Sequence, residues 1–368
     1  MALSVKAIGL ATSLGGWVQA SAACRAGLAR PAPAPDVEVM APGDEAPEAV
    51  HAHGLFSATF GFSGAGRLVA LVAEALVDLR AQADMGAGAL GPDTLVVLAL
   101  PDPGTRGIGL ELFPEYDELP DPGRARTLAE RIVSLAGPVA GLSISSAALQ
   151  VVPGEHAAFA GALATAEAAL AARRARAVLV CAVDSLASPE ALERFMGEER
   201  VKTGEVPTGF APGEAAAAFL LEADRGEGAR LGPVATAREP VAFGTDRVAD
   251  GRALADCVVR ASGAPAPGLW ITDEDGETHR ARELGCARVL LMSKGEALAE
   301  TPAWTPAMSF GNTGAASGAL GAALAVRGLE RGYAGAGPML VLSSEDGGAR
   351  AAVRVEAGSG KRGGVRWG

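Results

Sequence analysis

The chain has no excess of basic residues, no cysteine pattern and no long apolar run. Lysine and arginine number 32 against 43 aspartates and glutamates, a net charge of −11 spread along the sequence without an acidic block. That balance favours solubility and argues against a nucleic-acid partner, which needs a cationic face. Cys24, Cys181, Cys257 and Cys286 form no CxxC or Cys/His ligand spacing, so a reduced, cytoplasmic chain is expected, with no metal and no cofactor. Between Met1 and Trp17 a single lysine precedes a short apolar run broken by Ser and Gly. Neither the charged start of a signal peptide nor the run of about 20 apolar residues that spans a bilayer is present, and no membrane partner is expected. His51 and His53 lie two apart in a proline-rich loop with no carboxylate or Cys at ligand spacing, a weak metal signal.

What is present is organised around Pro153-Gly154-Glu155-His156, followed by small residues from Ala157 to Ala172 and the apolar run Ala177 to Val183. This order predicts a sharp turn, a helix buried on most sides and a core strand. Side chains at 155 and 156 are then presented at a helix N-terminus, among free amide donors. Gly311-Asn312-Thr313-Gly314-Ala315-Ala316-Ser317-Gly318 opens a second small-residue helix, Ala319 to Glu330, with an apolar strand from Pro338 to Leu342 after it. The repeated grammar implies a duplicated chain whose two Gly/Ala-rich helices pack against each other between sheets. The halves are placed at 1–228 and 229–357, with loop insertions at 30–53 and 184–208 and a Gly-rich basic tail at 358–368.

Hydrophobic spacing predicts helices over Trp17 to Leu28, Gly66 to Ala83 and Arg124 to Leu135, the last closed by Gly137-Pro138. Thr94 to Leu100 reads as a strand buried on both faces. In the second half a short helix from Thr278 to Leu284 and a strand from Val289 to Leu291 are expected, and Glu198 to Lys202 reads as a solvated loop.

Gly209-Phe210-Ala211-Pro212-Gly213-Glu214, continuing through Ala215 to Glu222, resembles the segment that closes the first half of β-ketoacyl synthases. Gly311 to Ser317 is similar to the Asn-bearing elbow of the third type of ketoacyl synthase and its thiolase-superfamily relatives. Asp346-Gly347-Gly348 resembles their Gly-rich active-site loop. The order agrees from Ser13-Leu14-Gly15 to Glu356. The resemblance implies an α/β fold, the thiolase-like five-layered α/β/α/β/α sandwich of two duplicated βαβαβαββ halves.

It also implies a site. Family members carry a nucleophilic Cys at the first elbow, where a helix N-terminus stabilises the thiolate. Here that position falls on His156, the family's first catalytic His falls on Asp275, and the second His or Asn is Asn312. Glu155, Glu277, His279, Thr313, Asp346, Gly347 and Gly348 are the expected pocket neighbours. Asp273, Glu274, Asp275 and Glu277 read as a charged loop where a catalytic loop has decayed, with paired acid/base carboxylates, a cation site or an altered Asp275–His279 acid/base pair as the alternatives. The implied function is a ketoacyl-synthase-like pseudoenzyme, a homodimer or a heterodimer with an active ketosynthase, whose partners are that ketosynthase, an acyl carrier protein or a secretion-system cargo protein. The alternative is an acyl-thioester-processing enzyme, an acyltransferase or malonyl decarboxylase, with oxyanion donors at the two helix N-termini and at Asn312.

Overall fold

The computed structural model describes residues 2–40, 46–83, 86, 88–91, 93–108, 121–241, 243–335 and 337–358. The first half runs β1 (Leu3–Thr12), α1 (Trp17–Arg25), β2 (Ala32–Val39), β3 (Glu48–Ala52), α2 (Phe56–Thr59), α3 (Gly64–Ala83), β4 (Gly88–Ala89), β5 (Thr94–Leu100), α4 (Pro103–Arg106), α5 (Asp121–Val139), β6 (Leu142–Ser143), β7 (Leu149–Pro153), α6 (Ala158–Ala171), β8 (Ala177–Ser185), α7 (Pro189–Gly197) and β9 (Glu214–Ala223). The second runs β10 (Ala229–Arg238), α8 (Arg252–Ser262), β11 (Leu269–Ile271), α9 (Thr278–Ser293), β12 (Ala303–Trp304), α10 (Ala307–Phe310), α11 (Ser317–Arg331), β13 (Met339–Ser344) and β14 (Ala349–Ala357).

The duplication is visible in the sheet, whose strand order is β12-β11-β13-β14-β10-β1-β9-β8-β5-β7. In one half β5 is parallel to β7 and β8, while β9 is antiparallel to β8 and β1. In the other, β11 is parallel to β12 and β13, and β14 is antiparallel to β13 and β10. Within the ten-stranded sheet the halves join where Leu3 and Ser4 pair with Leu231 and Arg230. Three cores separate five layers. One, with Leu68, Leu76, Leu128 and Ile132, packs α3 and α5 on the first half-sheet. Another, with Leu254, Val258, Leu284 and Leu291, packs α8 and α9 on the second. The third holds α6 and α11 between the inner faces, with Phe159, Leu163, Leu320 and Leu324. Small residues permit this central contact: a Cβ on Gly318 of α11 would stand 3.1 Å from His156 O and 3.3 Å from Phe159 Cβ of α6. Gly9 plays the same part outside, where a Cβ would lie 2.1 Å from Ala75 O of α3.

Four local expectations are corrected. Residues 32–39 and 48–52 form an antiparallel pair, not a continuous loop, with a register shift between Pro33 and Glu38 that absorbs the prolines; its inner face packs on α7 through Ala34, Val50 and Leu192. Val289 to Leu291 is not a strand but the continuation of α9, because Leu284, Ala287 and Leu291 supply a buried helical stripe while Val289 is exposed. Helix α5 passes through Gly137 and Pro138 to Val139. Arg200 does not lie in a solvated loop; it is buried. Of the tail expected at 358–368, residues 359–368 lie outside the described residues. Among the described residues no helix is long and apolar enough to cross a membrane.

Candidate functional site

The crossing of α6 and α11 brings His156 and Asn312 together, although 156 residues separate them. The Asn312 amide is oriented by its neighbours: Oδ1 accepts the Gly314 N–H at 2.9 Å and Nδ2 donates to Asp275 Oδ2 at 2.6 Å. The 3.0 Å contact of His156 Nε2 with Asn312 Oδ1 therefore requires Nε2 to donate. The lone pair is left on Nδ1, and it faces Arg280 Nη2 at 3.5 Å. Burial, then the Arg280 charge, holds His156 well below the ordinary histidine range, so the ring is neutral.

Arg280, on the first turns of α9, is the centre of the site. Its buried guanidinium lies 3.0 Å from Asp346, 3.2 Å from Asp275, 3.5 Å from Asp273 and 3.7 Å from Glu277, and it donates to Ser344 O. Arg200 grips Glu277 with two hydrogen bonds of 2.7 and 2.8 Å, reaches Asp346 at 2.8 Å, and lies over the Phe243 ring. The two arginines thus share Glu277 and Asp346. Burial raises the Asp346 pKa, but its contact with His279 and the charges of Arg280 and Arg200 outweigh this and hold it well below the carboxylate range. Asp273 is pushed up to about 6, chiefly by burial, and Asp275 is also raised by burial. Asp273, Asp275 and Glu277 of the acidic stretch thus belong to a buried ion-pair network with Arg280 and Arg200. His279 faces Asp346 at 3.5 Å, with its ring against Phe243, instead of forming the Asp275 pair.

The elbow amides are occupied. Glu345, at the β13–β14 turn, accepts the Glu155 N–H at 2.9 Å and the Ala157 N–H at 3.1 Å through Oε1. Glu155 returns the contact, its Oε2 accepting the Asp346 N–H at 3.1 Å. Burial raises Glu345, and burial with the adjacent Asp346 and Glu345 charges raises Glu155. At the second elbow Asp184, near the end of β8 of the first half, accepts the Ala315 N–H at 2.9 Å. Three amides at the two helix starts, those of Glu155, Ala157 and Ala315, are thus already paired with the protein's own carboxylates. Thr313 is buried and its hydroxyl meets Ser317 Oγ at 3.0 Å. Gly348 adopts φ +98° beside Glu239 O, where a Cβ would come within 2.5 Å, while Gly347 is unobstructed.

The cavity between His156, Asn312, Asp275 and Thr272 measures about 20 Å³, room for about one water. A larger one, about 290 Å³, lies beyond Arg280 and Asp346, bordered by Phe243, Gly244, Arg247 and Val248. No cysteine reaches either elbow: Cys181 is buried within β8 and Cys257 within α8, both thiols pushed up to about 12 by burial, and Cys24 and Cys286 lie in α1 and α9. Among the described residues no cluster of His, Cys, Asp and Glu is suited to a metal ion. The sequence reading missed Arg200, Arg280 and Glu345. The available signal was Arg280 itself, three residues after Glu277 on the helix that the Asp273–Glu277 carboxylates precede.

No family model matches the sequence, and no curated protein matches it. Solved structures do. The AntDE:AntF complex, described as a type II PKS acyl-carrier protein in complex with its ketosynthase bound to the hexaketide, aligns with TM-score 0.69 at 15% identity over 96% of this chain and 99% of that one. The ishigamide ketosynthase/chain length factor aligns with TM-score 0.63 at 20% identity over 97% and 99%. The oxazolomycin ketosynthase domain OzmH KS7 of Streptomyces albus JA3453 gives 0.70 at 14% identity over 97% and 75%. At these identities the likeness establishes the thiolase-like ketosynthase fold.

Proposed function

We propose that the chain is a ketosynthase-like pseudoenzyme, a cytoplasmic subunit that keeps the fold as a binding partner and performs no condensation. The observation that carries this reading is the Arg280 guanidinium against His156 Nδ1. If His156 stands at the nucleophile position, its single lone pair is turned to a cation and its other nitrogen is committed to Asn312. A covalent acyl step needs a free nucleophile with a base beside it. The occupied Glu155 and Ala157 amides and the 20 Å³ cavity beside His156 and Asn312 support the same conclusion, since they leave no acyl-sized space between those two side chains.

The partner is an active ketosynthase, in the manner of a chain length factor, or a second copy, with an acyl carrier protein as the next component; a secretion-system cargo protein is the other partner that the sequence resemblance implies. The ishigamide assembly, by its name, joins a ketosynthase and a chain length factor on this fold. Strand β7 supplies an open edge, since it ends the sheet with Gln150, Val151 and Val152 half-buried. Incubation with acyl and malonyl thioesters, followed by intact-mass spectrometry and CO2 measurement, should give no adduct and no release. Turnover that disappears in His156→Ala would overturn the reading in favour of an acyltransferase or decarboxylase.

A further inference from the structure

The 290 Å³ cavity beyond Arg280 has two unlike walls. The inner wall is charged, and its charges are matched among themselves. Arg350 donates to both Glu283 oxygens at 2.5 and 2.8 Å, and Asp346 lies against Arg280 at 3.0 Å and Arg200 at 2.8 Å. Glu345 is held by the Glu155 and Ala157 amides, and burial raises its pKa. The outer wall is apolar, formed by Val241, Phe243 and Val248, and the last two are 44% and 51% exposed. That wall is fixed in place. The Phe243 N–H donates to Asp346 O at 2.9 Å, and its ring packs on the His279 ring at 4.3 Å and under the Arg200 guanidinium at 4.4 Å. Arg247 completes the lining, exposed and, among the described residues, without a carboxylate in salt-bridge contact. Asp250, an acid its charge reaches, pairs with Arg252 at 2.7 Å instead. The cavity therefore offers a preformed aromatic surface and one unmatched positive charge.

We propose that this cavity is a binding site for a small organic acid with an aromatic body, its carboxylate paired with Arg247 and its ring laid on Phe243 and Val248. The planar guanidinium matches a carboxylate in a two-point contact. Covering Phe243 and Val248 removes apolar surface from water, and Phe243 adds an offset ring contact. Arg247 balances a single negative charge, whereas a doubly charged phosphate would leave one charge facing the Glu283, Glu345 and Asp346 carboxylates. The volume accepts about ten water-sized groups, at the lower end of ligand cavities, which limits the acid to one ring and a short chain. Neither His156 nor Asn312 lines this space, so the site does not depend on whether the chain acts on thioesters.

Phenylpropionate is the probe, titrated into the full chain by isothermal calorimetry at neutral pH. Its Kd should be about 1 mM or lower, and the neutral isostere phenylpropanamide should bind at least about tenfold more weakly. Phenyl phosphate, with its second charge, and octanoate, without a ring, should also bind more weakly than phenylpropionate. Arg247→Gln alters an exposed side chain; it should weaken the acid by about tenfold, leave the amide unchanged and so erase the discrimination between them. Val248→Glu, at a second exposed position, sets a negative charge against the ligand and should abolish binding of the acid. No saturable binding up to about 10 mM, equal affinities for acid and amide, tighter binding of the ammonium analogue phenylpropylamine, or an undiminished acid affinity in Arg247→Gln would overturn the site. Octanoate or phenyl phosphate binding as tightly would overturn its assignment to an aromatic carboxylate. Thioester turnover by the wild type would instead sink the pseudoenzyme reading and leave this site standing, so the two failures are distinguishable.

Discussion

Replacing Arg280 by methionine removes one charge and nearly no volume, and the structure sets the size of the result. In the native protein the guanidinium is 3% exposed and lies within 4 Å of Asp273, Asp275, Glu277 and Asp346. Without it, Arg200 still reaches Glu277 and Asp346, but Asp273 and Asp275 keep neutral donors, the Ser344 amide for the first and the Glu277 amide and Asn312 side chain for the second. Breaking a buried pair by removing one partner costs about 3–5 kcal/mol, and two stranded carboxylates put Arg280→Met at the upper end at pH 8. The pH dependence has a definite sign. Asp273 is already pushed up to about 6 and Asp275 is raised, both chiefly by burial, and loss of the cation raises both further. A carboxyl whose folded pKa exceeds its unfolded value contributes stability below the unfolded pKa and loses it as pH rises through the folded pKa. The penalty of Arg280→Met should therefore be largest at pH 8 and fall to about half by pH 5.5, as the stranded acids bind protons. Urea midpoints for both proteins at the two pH values measure this directly. A penalty below about 1 kcal/mol at pH 8, or one that grows on acidification, would refute the claim that the cation compensates these carboxylates.

Two further outcomes are expected. His156 should remain neutral in the folded protein at pH 5.5, visible as an imidazole ¹³C shift that does not titrate. Because its pKa is lowered, by burial first and Arg280 second, its contribution to stability is present above the ordinary value of 6.5 and is lost as pH falls below it. Gly9→Ala should destabilise the protein by about 3 kcal/mol or more in urea, since the new Cβ meets Ala75 O and Leu79 N of α3 at 2.1 and 2.2 Å and backbone must shift, whereas Gly318→Ala, whose closest contact is 3.1 Å, should cost less.

The fold was legible where local signals agreed with tertiary need. Thr94 to Leu100 forms the strand its apolar run predicts, and the Gly/Ala surfaces of α6 and α11 meet at the centre because nothing larger fits between them. Signals failed where packing overrode propensity. The β-branched Val289 stayed helical because the buried stripe of α9 runs on to Leu291, and Pro33 and Pro35 did not prevent a two-stranded pairing at the surface. The site was half legible. Its turns placed His156 and Asn312 at two helix starts, but the arginines that fill it act across 77 and 124 residues of sequence. No periodicity records a contact of that span, and Arg200 sits in a charged pentapeptide that looks the same whether solvated or buried.

The cost of that network bears on why it is there. Apolar side chains of similar volume would fill the same space with less desolvation, since buried ion pairs seldom exceed well-packed hydrophobic replacements in net stability. What charges supply instead is geometry. Arg200 and Arg280 reach carboxylates in two segments, 273–277 and 346, and those segments in turn hold Asn312, Ser344 and Glu155 by hydrogen bonds. An apolar plug would leave the amides of Glu155, Ala157, Ser344 and Asp346 without their carboxylate acceptors, a loss of at most about 1–3 kcal/mol each where water does not replace them. Four such losses offset the saving expected from an apolar replacement, so carboxylates that hold these amides, with arginines that compensate Asp273 and Asp346, are compatible with a stable fold.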